Sequence, residues 1–249
     1  MDLRTLTTAT AAPLLLVLLP ITAGAQIERR VSGELVPYFW AVGVDGDAEI
    51  RGRDVDIDYD FEDTWDHLEF GGSILGVFRH GRWVGWGQLD YIDLKNDDIG
   101  ARLGVVRIPG ELNTTALIWT LAGGYQIGGF RHGQTFDVML GVRGLHLELD
   151  LDVAGLANAS KDEDFHDVVL VVRPDLPLSA RWRFNPTASI GAGDSELTWE
   201  LWPQFEFEIT DTWVTRVGYR TLHYDIDGDN GNSFDAAFNG FTIGLGGKF

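Results

Sequence analysis

The sequence predicts an all-β protein: a closed antiparallel up-and-down β-barrel that crosses a membrane with its strands, ten in number, or eight if the segments between 166 and 193 merge. Three observations carry that prediction. The final stretch, Phe234 to Phe249, alternates strictly between two kinds of side chain. The chain opens on an export signal and holds no later apolar run of the roughly 18 residues a membrane helix needs. Its strand-like segments are joined alternately by short turns and by longer, mostly acidic connections.

The last strand is the clearest. Phe249, Gly247, Leu245, Ile243 and Phe241 fall on one parity, and Lys248, Gly246, Gly244, Thr242 and Gly240 on the other. One face is greasy and the other small or polar, which suits a strand between two different media. The ending resembles the C-terminal signal of bacterial outer-membrane β-barrel proteins, with Thr242, Gly244 and the terminal Phe249 matching and Gly247 departing from the usual apolar residue.

At the other end Arg4 lies in a short polar head, Ala11 to Leu19 is almost unbroken apolar sequence, and Ala23-Gly24-Ala25 supplies a small-x-small cleavage pattern. Residues 1–25 are therefore expected to be a cleaved signal peptide, and 26–249 a single barrel domain. There is no cysteine, hence no disulfide framework and no metal–thiolate site. An exported chain without spanning helices can still enter a membrane as a closed barrel, where every backbone amide is paired between strands. The formal net charge of −19 argues against nucleic acid as a partner and against direct attraction to anionic lipid. Contact with lipopolysaccharide phosphates would need divalent cations or local Arg and Lys.

In chain order, Glu34 to Val44 carries Tyr38, Trp40, Val42 and Val44 on one parity and reads as the first strand. The acidic stretch Asp45–Asp66 follows; Phe61, Trp65 and Leu68 at helical spacing suggest a short amphipathic turn, and a solvated loop is the other reading. Leu68–Arg79 and Trp83–Leu94 form a hairpin across His80-Gly81-Arg82. Lys95–Glu111 loops into the strand Leu112–Ile127, and Gly128–Gln134 turns into Thr135–Asp150. Leu151–Phe165 is a third polar loop, and the strand from His166 to about Leu178 should break or bulge at Pro174 and Pro177. Trp182–Ala192 comes next. Leu197, Trp199, Leu201, Phe205, Phe207 and Ile209 then alternate with Thr198, Glu200, Trp202, Gln204, Glu206 and Glu208, and Thr210-Asp211-Thr212 turns into Trp213–Tyr224. Short turns on one side and longer loops on the other, with an even strand count, is the pattern of an outer-membrane barrel.

A repeat singles out candidate functional residues. The strands leaving the short turns begin with Trp83, Phe136, Trp182 and Trp213, and seven residues on from each stands Asp90, Arg143, Ser189 and Arg220. The first set, with Phe249, belongs at the membrane–water interface. The second has opposite parity and faces the lumen, as do Glu200, Gln204, Glu206, Glu208 and Arg216. Same-face pairing across the turn at 210–212 sets Glu206 against Arg216 and, one step over, Glu200 against Arg220. A narrow barrel fills its interior with side chains, and charges there must be paired. The set is first a core and only second a route for ions or protons.

Chemistry beyond this is thin. His146 with Glu148 and His223 with Asp225 are His-x-acidic pairs that could activate water, but no dense Ser/His/Glu or Asp/Asp cluster resembles those of the omptin proteases or the barrels that hydrolyse lipid A acyl chains. Asp225, Asp227 and Asp229 leave open a weak surface Ca²⁺ or Mg²⁺ site, although Asn230 and Ala236 stand where a hand-type loop needs Gly and Glu; a solvated loop is the alternative. No phosphate cradle, zinc spacing or nucleophile elbow is present, so no metal and no cofactor is expected.

Taken together, the export signal, the alternation over roughly 34–249, Gly218-Tyr219-Arg220 and Phe249 resemble the small porin-like and surface-antigen outer-membrane barrels of Gram-negative bacteria. The resemblance implies residence in the outer membrane, with lipid and lipopolysaccharide as neighbours and the barrel-assembly machinery as a partner through the C-terminal strand. It implies no particular activity. A structural or surface barrel with a charged, largely filled lumen, a narrow channel for small solutes or ions, and a rim hydrolase are the readings it allows.

Overall fold

The computed structural model of the chain describes residues 31–49, 54–59, 62, 67–96, 100–103, 106–128, 134–153, 157–228 and 232–249. The expected signal peptide lies outside them, as do Phe61, Trp65 and Asp229.

The strands are β1 (Val31–Glu49), β2 (Asp54–Tyr59), β3 (Leu68–His80), β4 (Trp83–Asn96), β5 (Gly100–Leu103), β6 (Val106–Gly128) and β7 (Thr135–Val153). They continue with β8 (Ala157–Pro177), β9 (Trp182–Phe184), β10 (Thr187–Gly193), β11 (Leu197–Trp202), β12 (Gln204–Glu208), β13 (Trp213–Gly228) and β14 (Asn232–Lys248). Two pairs of these are single barrel strands interrupted once, β9 with β10 at Asn185-Pro186 and β11 with β12 at Pro203. The barrel wall therefore has ten strands, each antiparallel to its neighbours. It closes where β1 meets β14, with Glu34 opposite Lys248 and Trp40 opposite Thr242. At that seam Gly33 N donates to Phe249 O at 2.7 Å and Phe249 N to Gly33 O at 2.9 Å, so the two ends of the sheet saturate one another.

The interruptions have one physical origin. Pro174 of β8 lies level with Pro186, and Pro186 with Pro203, by the shared registers of β8 with β9 and β10, and of β9 and β10 with β11 and β12. None has an N–H to give to the ladder. The break expected within the strand after His166 does not occur there: β8 runs unbroken past Pro174 to Pro177, paired in one register with β7, and the gap falls on the two strands beyond it. The region 166–193 accordingly holds separate strands.

Three connections read as loops prove to be largely strand. Part of the acidic stretch after Asp45 is β2, paired with the extended end of β1 from Val44↔Tyr59 to Glu49↔Asp54. Leu68, at helical spacing from Phe61 and Trp65, begins β3, in line with the hairpin strand read from Leu68 to Arg79. β5 pairs back on the start of β6 within 100–109, and β7 and β8 stay paired from Thr135↔Asp175 as far as Val153↔Ala157. Backbone pairing persists there because alternate Asp and Leu, although acidic, keep strand periodicity. The 23 residues of β6 extend roughly 75 Å, far beyond the 9–11 residues that suffice to cross a bilayer. At the opposite end the turns are tight. Gly81, with φ of +64°, makes the β3–β4 reversal, a conformation that costs a residue without Cβ little.

Burial follows the alternation. Tyr38, Trp40 and Val42 point inward, while Leu35, Phe78, Leu121, Leu140, Leu170, Leu201, Phe241, Ile243 and Leu245 form an exposed apolar belt. Such a contiguous surface is one water does not tolerate on a soluble monomer. Among the described residues no helix is long and apolar enough to cross a membrane; the strands present the apolar surface. The small inward face of β14 is complementary to the large one of β1: a Cβ at Gly244 would meet Tyr38 Cβ and Val36 Cγ1, both at 2.8 Å.

Candidate functional site

Midway along the lumen, side chains from five other wall strands converge on two arginines. Arg143 of β7 is fully buried. Its Nη2 donates to Glu200 Oε2 at 2.6 Å and to Ser189 Oγ at 2.7 Å, its Nη1 to Thr198 Oγ1 at 3.0 Å, and its Nε to Thr120 Oγ1 at 3.2 Å. Glu200 Oε2 also accepts from Gln88 Nε2 at 3.0 Å. Arg220 of β13 donates through Nη1 to Asp90 Oδ2 at 2.7 Å and to the Tyr38 hydroxyl at 3.2 Å, and its Nε stands 3.3 Å from Glu200 Oε1. Tyr38 in turn donates to Asp90 Oδ1 at 2.6 Å.

The faces of the Arg220 guanidinium are covered by aromatics, with the Trp40 ring centre at 4.2 Å and that of Trp202 at 5.2 Å. Trp202 is anchored by its Nε1 donating to Thr242 Oγ1 at 2.9 Å. Two cations thus meet two carboxylates, Asp90 and Glu200, in a cluster with no access to solvent. Charge-assisted hydrogen bonds of this length are the strong ones, and the two charge types balance. Around the cluster the lumen is packed with apolar side chains, among them Ile118, Leu145 and Leu222 on one side and Val36, Leu75, Met139 and Val214 on the other.

A second charged layer lines the lumen at the short-turn end. Arg79 grips Asp137 with two bonds of 2.8 and 2.6 Å, and Arg183 grips Asp175 with 2.9 and 2.6 Å. Arg216 spans Glu34 (2.8 and 2.9 Å) and Glu206 (2.7 Å). Lys248 bridges Glu206 and Glu208, both at 2.7 Å. Glu206 is directly opposite Arg216 in the β12–β13 register. Glu200 is opposite Leu222, so its contact with Arg220 is a diagonal one. Gln204, also buried, reaches Thr187 at 3.5 Å.

All nine lumen residues singled out by parity therefore point inward, and the four that stand seven residues beyond a turn aromatic, Asp90, Arg143, Ser189 and Arg220, fall in one cluster with Glu200. Trp83, Trp182, Trp213 and Phe249 are exposed on the outer wall near the short turns, where Trp83 packs edge-on to Tyr125 and Trp182 against Phe207; Phe136 is half-buried on the same wall.

The two histidine pairs are not those suggested by sequence neighbours. His146 Nδ1 lies 2.8 Å from Asp164 Oδ1 on β8, and His223 Nε2 lies 2.8 Å from Asp235 Oδ1 on β14, with the Trp199 ring stacked on His223 at 5.3 Å. Both sit on the outer wall because their parity is opposite to that of Arg143 and Leu222. Asp225 and Asp227 lie on the outer face of β13 beside Asp235 and Ser233. Among the described residues no group of His, Cys, Asp and Glu is arranged to hold a metal ion.

Parity reasoning passed over Tyr38, Gln88, Thr120 and Trp202 in the cluster, and Glu34, Arg79, Asp137, Arg173, Asp175 and Arg183 in the second layer. The available signal was an ionisable residue on the inward parity within a few positions of a short turn, as Arg79 is on the parity of Leu75 and Val77.

No family model matches the chain, and no curated protein sequence matches it. Solved structures do. The outer membrane protease OmpT from Escherichia coli matches with a TM-score of 0.54 at 8% identity, covering 91% of this chain and 99% of that one. The translocator domain of the autotransporter NalP from Neisseria meningitidis matches at TM-score 0.43 and 12% identity over 88% and 89% of the two chains. Ail, the attachment invasion locus protein of Yersinia pestis, matches at 0.36 and 9% over 88% and 98%. At these identities the likeness concerns the fold and not activity. The chain has the fold of the Gram-negative outer-membrane β-barrels.

Proposed function

We propose that this protein is an integral outer-membrane barrel with a structural and surface-presenting role, its lumen closed by the Arg143–Glu200–Arg220–Asp90 cluster. The observation that carries the reading is the complete burial of those four ionisable side chains with their charges matched inside the wall. A path for solutes would have to part contacts of 2.6 and 2.7 Å and desolvate the freed charges, which is strongly unfavourable. The surface role is supported by the asymmetry of the wall, since β6, β7 and β8 project well past the apolar belt on the side away from the short turns. Outer-membrane lipid and lipopolysaccharide are its neighbours in this reading, with divalent cations bridging acidic loops to headgroup phosphates, and β14 is the strand offered to the assembly machinery. Trp83, Phe136, Trp182, Trp213 and Phe249 mark the inner membrane–water interface. The reading assigns no catalytic residue: His146 and His223 are held by carboxylates on the outer wall, away from the lumen.

The test is planar-bilayer recording of the refolded protein. A closed barrel gives no unitary openings, and regular openings in the unmodified protein would overturn the reading. A narrow channel is the second reading. It is favoured by buried polar atoms without protein partners at several depths of the lumen, Asn185 Oδ1, Gln204 Oε1, Gln88 Oε1 and the Tyr224 hydroxyl, which would suit a file of water. The same recording decides between the two.

A further inference from the structure

The lipid-facing wall is not filled evenly. Where β1, β3, β4 and β6 run side by side, its outer surface sinks into a hollow of about 600 Å³ toward the short-turn end. Gly85 and Gly87 are successive outward positions of β4. Gly85 is opposite Phe78 of β3 and Gly123 of β6, and Gly87 is opposite Gly76 and Leu121. Leu35, Phe78, Leu121 and Phe249, all exposed, stand round this glycine floor.

Other strand glycines of the barrel have a packing reason. A Cβ at Gly124 would run into the carbonyl of Val138, at Gly141 into that of Leu121, and at Gly240 into that of Ala41. At the floor of the hollow the space is clear. The nearest atom to an added Cβ is Leu35 Cδ1 at 3.7 Å for Gly76, Phe78 Cβ at 4.0 Å for Gly85, and Val84 O at 3.9 Å for Gly123. Gly87 is crowded only by the movable end of Leu121, whose Cδ2 is 2.9 Å away. Glycine weakens a strand through its backbone entropy and its missing side chain. The backbone does not require it at Gly76, Gly85 or Gly123, so the depth of the hollow is not a by-product of strand packing.

The hollow ends at the membrane–water boundary. One outward step below Gly85 is Trp83, opposite Tyr125 and edge-on to its ring. Arg82, exposed in the tight turn, holds its guanidinium 6.0 Å from the centre of the Tyr125 ring. Among the described residues no carboxylate pairs with it, whereas Arg79, Arg183 and Arg216 are all held by acids in the lumen. An apolar groove thus leads to one uncompensated cation. Lipid tails are as apolar as the wall, so the hydrophobic effect does not fix a lipid there. Packing contacts along the hollow and charge at its end must do so.

We propose that this hollow binds one anionic glycerophospholipid of the inner leaflet. An acyl chain lies over Gly85 between Phe78 and Leu121, and the phosphodiester accepts from Arg82. The complementarity of charge is local: the net charge of −19 disfavours anionic lipid in general, and Arg82 supplies the exception at this turn. The site rests on the outer-membrane reading of the wall, and it stands whether or not the lumen conducts.

The experiment is native mass spectrometry of the refolded full chain, titrated with phosphatidylglycerol or with phosphatidylcholine of identical acyl chains. The unmodified protein should retain one phosphatidylglycerol with about fivefold preference over phosphatidylcholine, the worth of one Arg at a membrane surface. Gly85→Leu fills the hollow without meeting backbone and should abolish retention of that first lipid. Arg82→Gln should leave phosphatidylcholine binding unchanged and make the two lipids equal. Gel mobility with and without boiling reports the folding of each protein. A folded, unmodified barrel without preference would overturn this proposal and leave the outer-membrane reading in place. Undiminished retention in Gly85→Leu, or a preserved preference in Arg82→Gln, would equally overturn it. So would a Gly85→Leu variant that loses dimers instead of lipid, since the occupant would then be a second copy of the chain.

Discussion

Replacing Glu200 by Gln tests the physical core of the barrel directly. The substitution keeps the shape and leaves one carbonyl oxygen for Arg143 Nη2, now 2.6 Å from Glu200 Oε2. It removes one of two negative charges balancing Arg143 and Arg220, leaving the dry cluster with an excess cation. With that oxygen kept for Arg143 and Gln88, the new amide N–H₂ must face a donor, Arg220 Nε, now 3.3 Å from Glu200 Oε1. Breaking a buried pair by neutralising one partner costs about 3–5 kcal/mol. Equilibrium urea unfolding of the barrel in lipid vesicles, followed by tryptophan emission, should register that loss, because Trp40 and Trp202 flank the cluster. The paired change Arg143→Met with Glu200→Gln restores neutrality, so the double variant should be more stable than the sum of the single effects by about 2 kcal/mol. A loss below about 1 kcal/mol in Glu200→Gln, or strict additivity in the cycle, would mean the cluster is hydrated and the lumen open, contrary to the argument.

Three other outcomes are expected. Leu140→Arg, on the exposed belt, should destabilise the protein in vesicles by about 2–4 kcal/mol, the cost of a cation facing mid-bilayer lipid, measured by the same urea titration. Thr242→Val removes the acceptor for Trp202 Nε1 and should cost about 1–3 kcal/mol, while Thr242→Ser should be close to neutral by the same measurement. Deleting Phe249 removes both backbone bonds to Gly33 at the closing seam; most of the heat-modifiable band should be lost when folded yield is compared on gels of boiled and unboiled samples.

The wall was legible because lipid and lumen impose opposite demands on successive residues. Any strand with an unambiguous greasy face, such as Leu197 to Ile209, announces its orientation and its register with the next turn. Sequence did not disclose the ends of β6, β7 and β8, where Asp152, Asp162 and Asp164 make the stretch after Asp150 look like a loop although backbone pairing continues through it. Composition reports solvent exposure, and a hairpin standing in water is as exposed as a loop. The cluster was half legible for a related reason. Parity shows which way Arg143 and Arg220 point, but not that Arg220 of β13 reaches Tyr38 of β1 and Asp90 of β4, a distance in sequence that only closure of the barrel at the β1–β14 seam spans. The missing break at Pro174 teaches the same point. A proline's lost N–H is felt on whichever side it would have donated, so the gap appeared in the neighbouring strands β9 to β12.

Depth, rather than charge count, is what brings the cluster together, and that claim can be tested apart from neutrality. Seven residues from an interfacial aromatic is about 23 Å along a strand, and about 18 Å of depth at a tilt near 40°. Asp90, Arg143, Ser189 and Arg220 start from turns at one membrane face, so equal offsets carry them to one level, where they meet Glu200. Moving the cation two residues along β13, by Arg220→Thr together with Leu222→Arg, preserves its parity and the net charge. The new position is opposite Glu200 in register, so one ion pair can persist. It forfeits Asp90, the Tyr38 hydroxyl and the enclosure between Trp40 and Trp202, and it puts a charge where Leu222 is fully buried. The shifted variant should therefore lose at least as much stability as Glu200→Gln, about 3–5 kcal/mol or more. If it instead unfolds at the same urea concentration as the unmodified protein, the lumen tolerates charge at any level as long as the sum is zero, and the common offset from the turns is a coincidence of sequence.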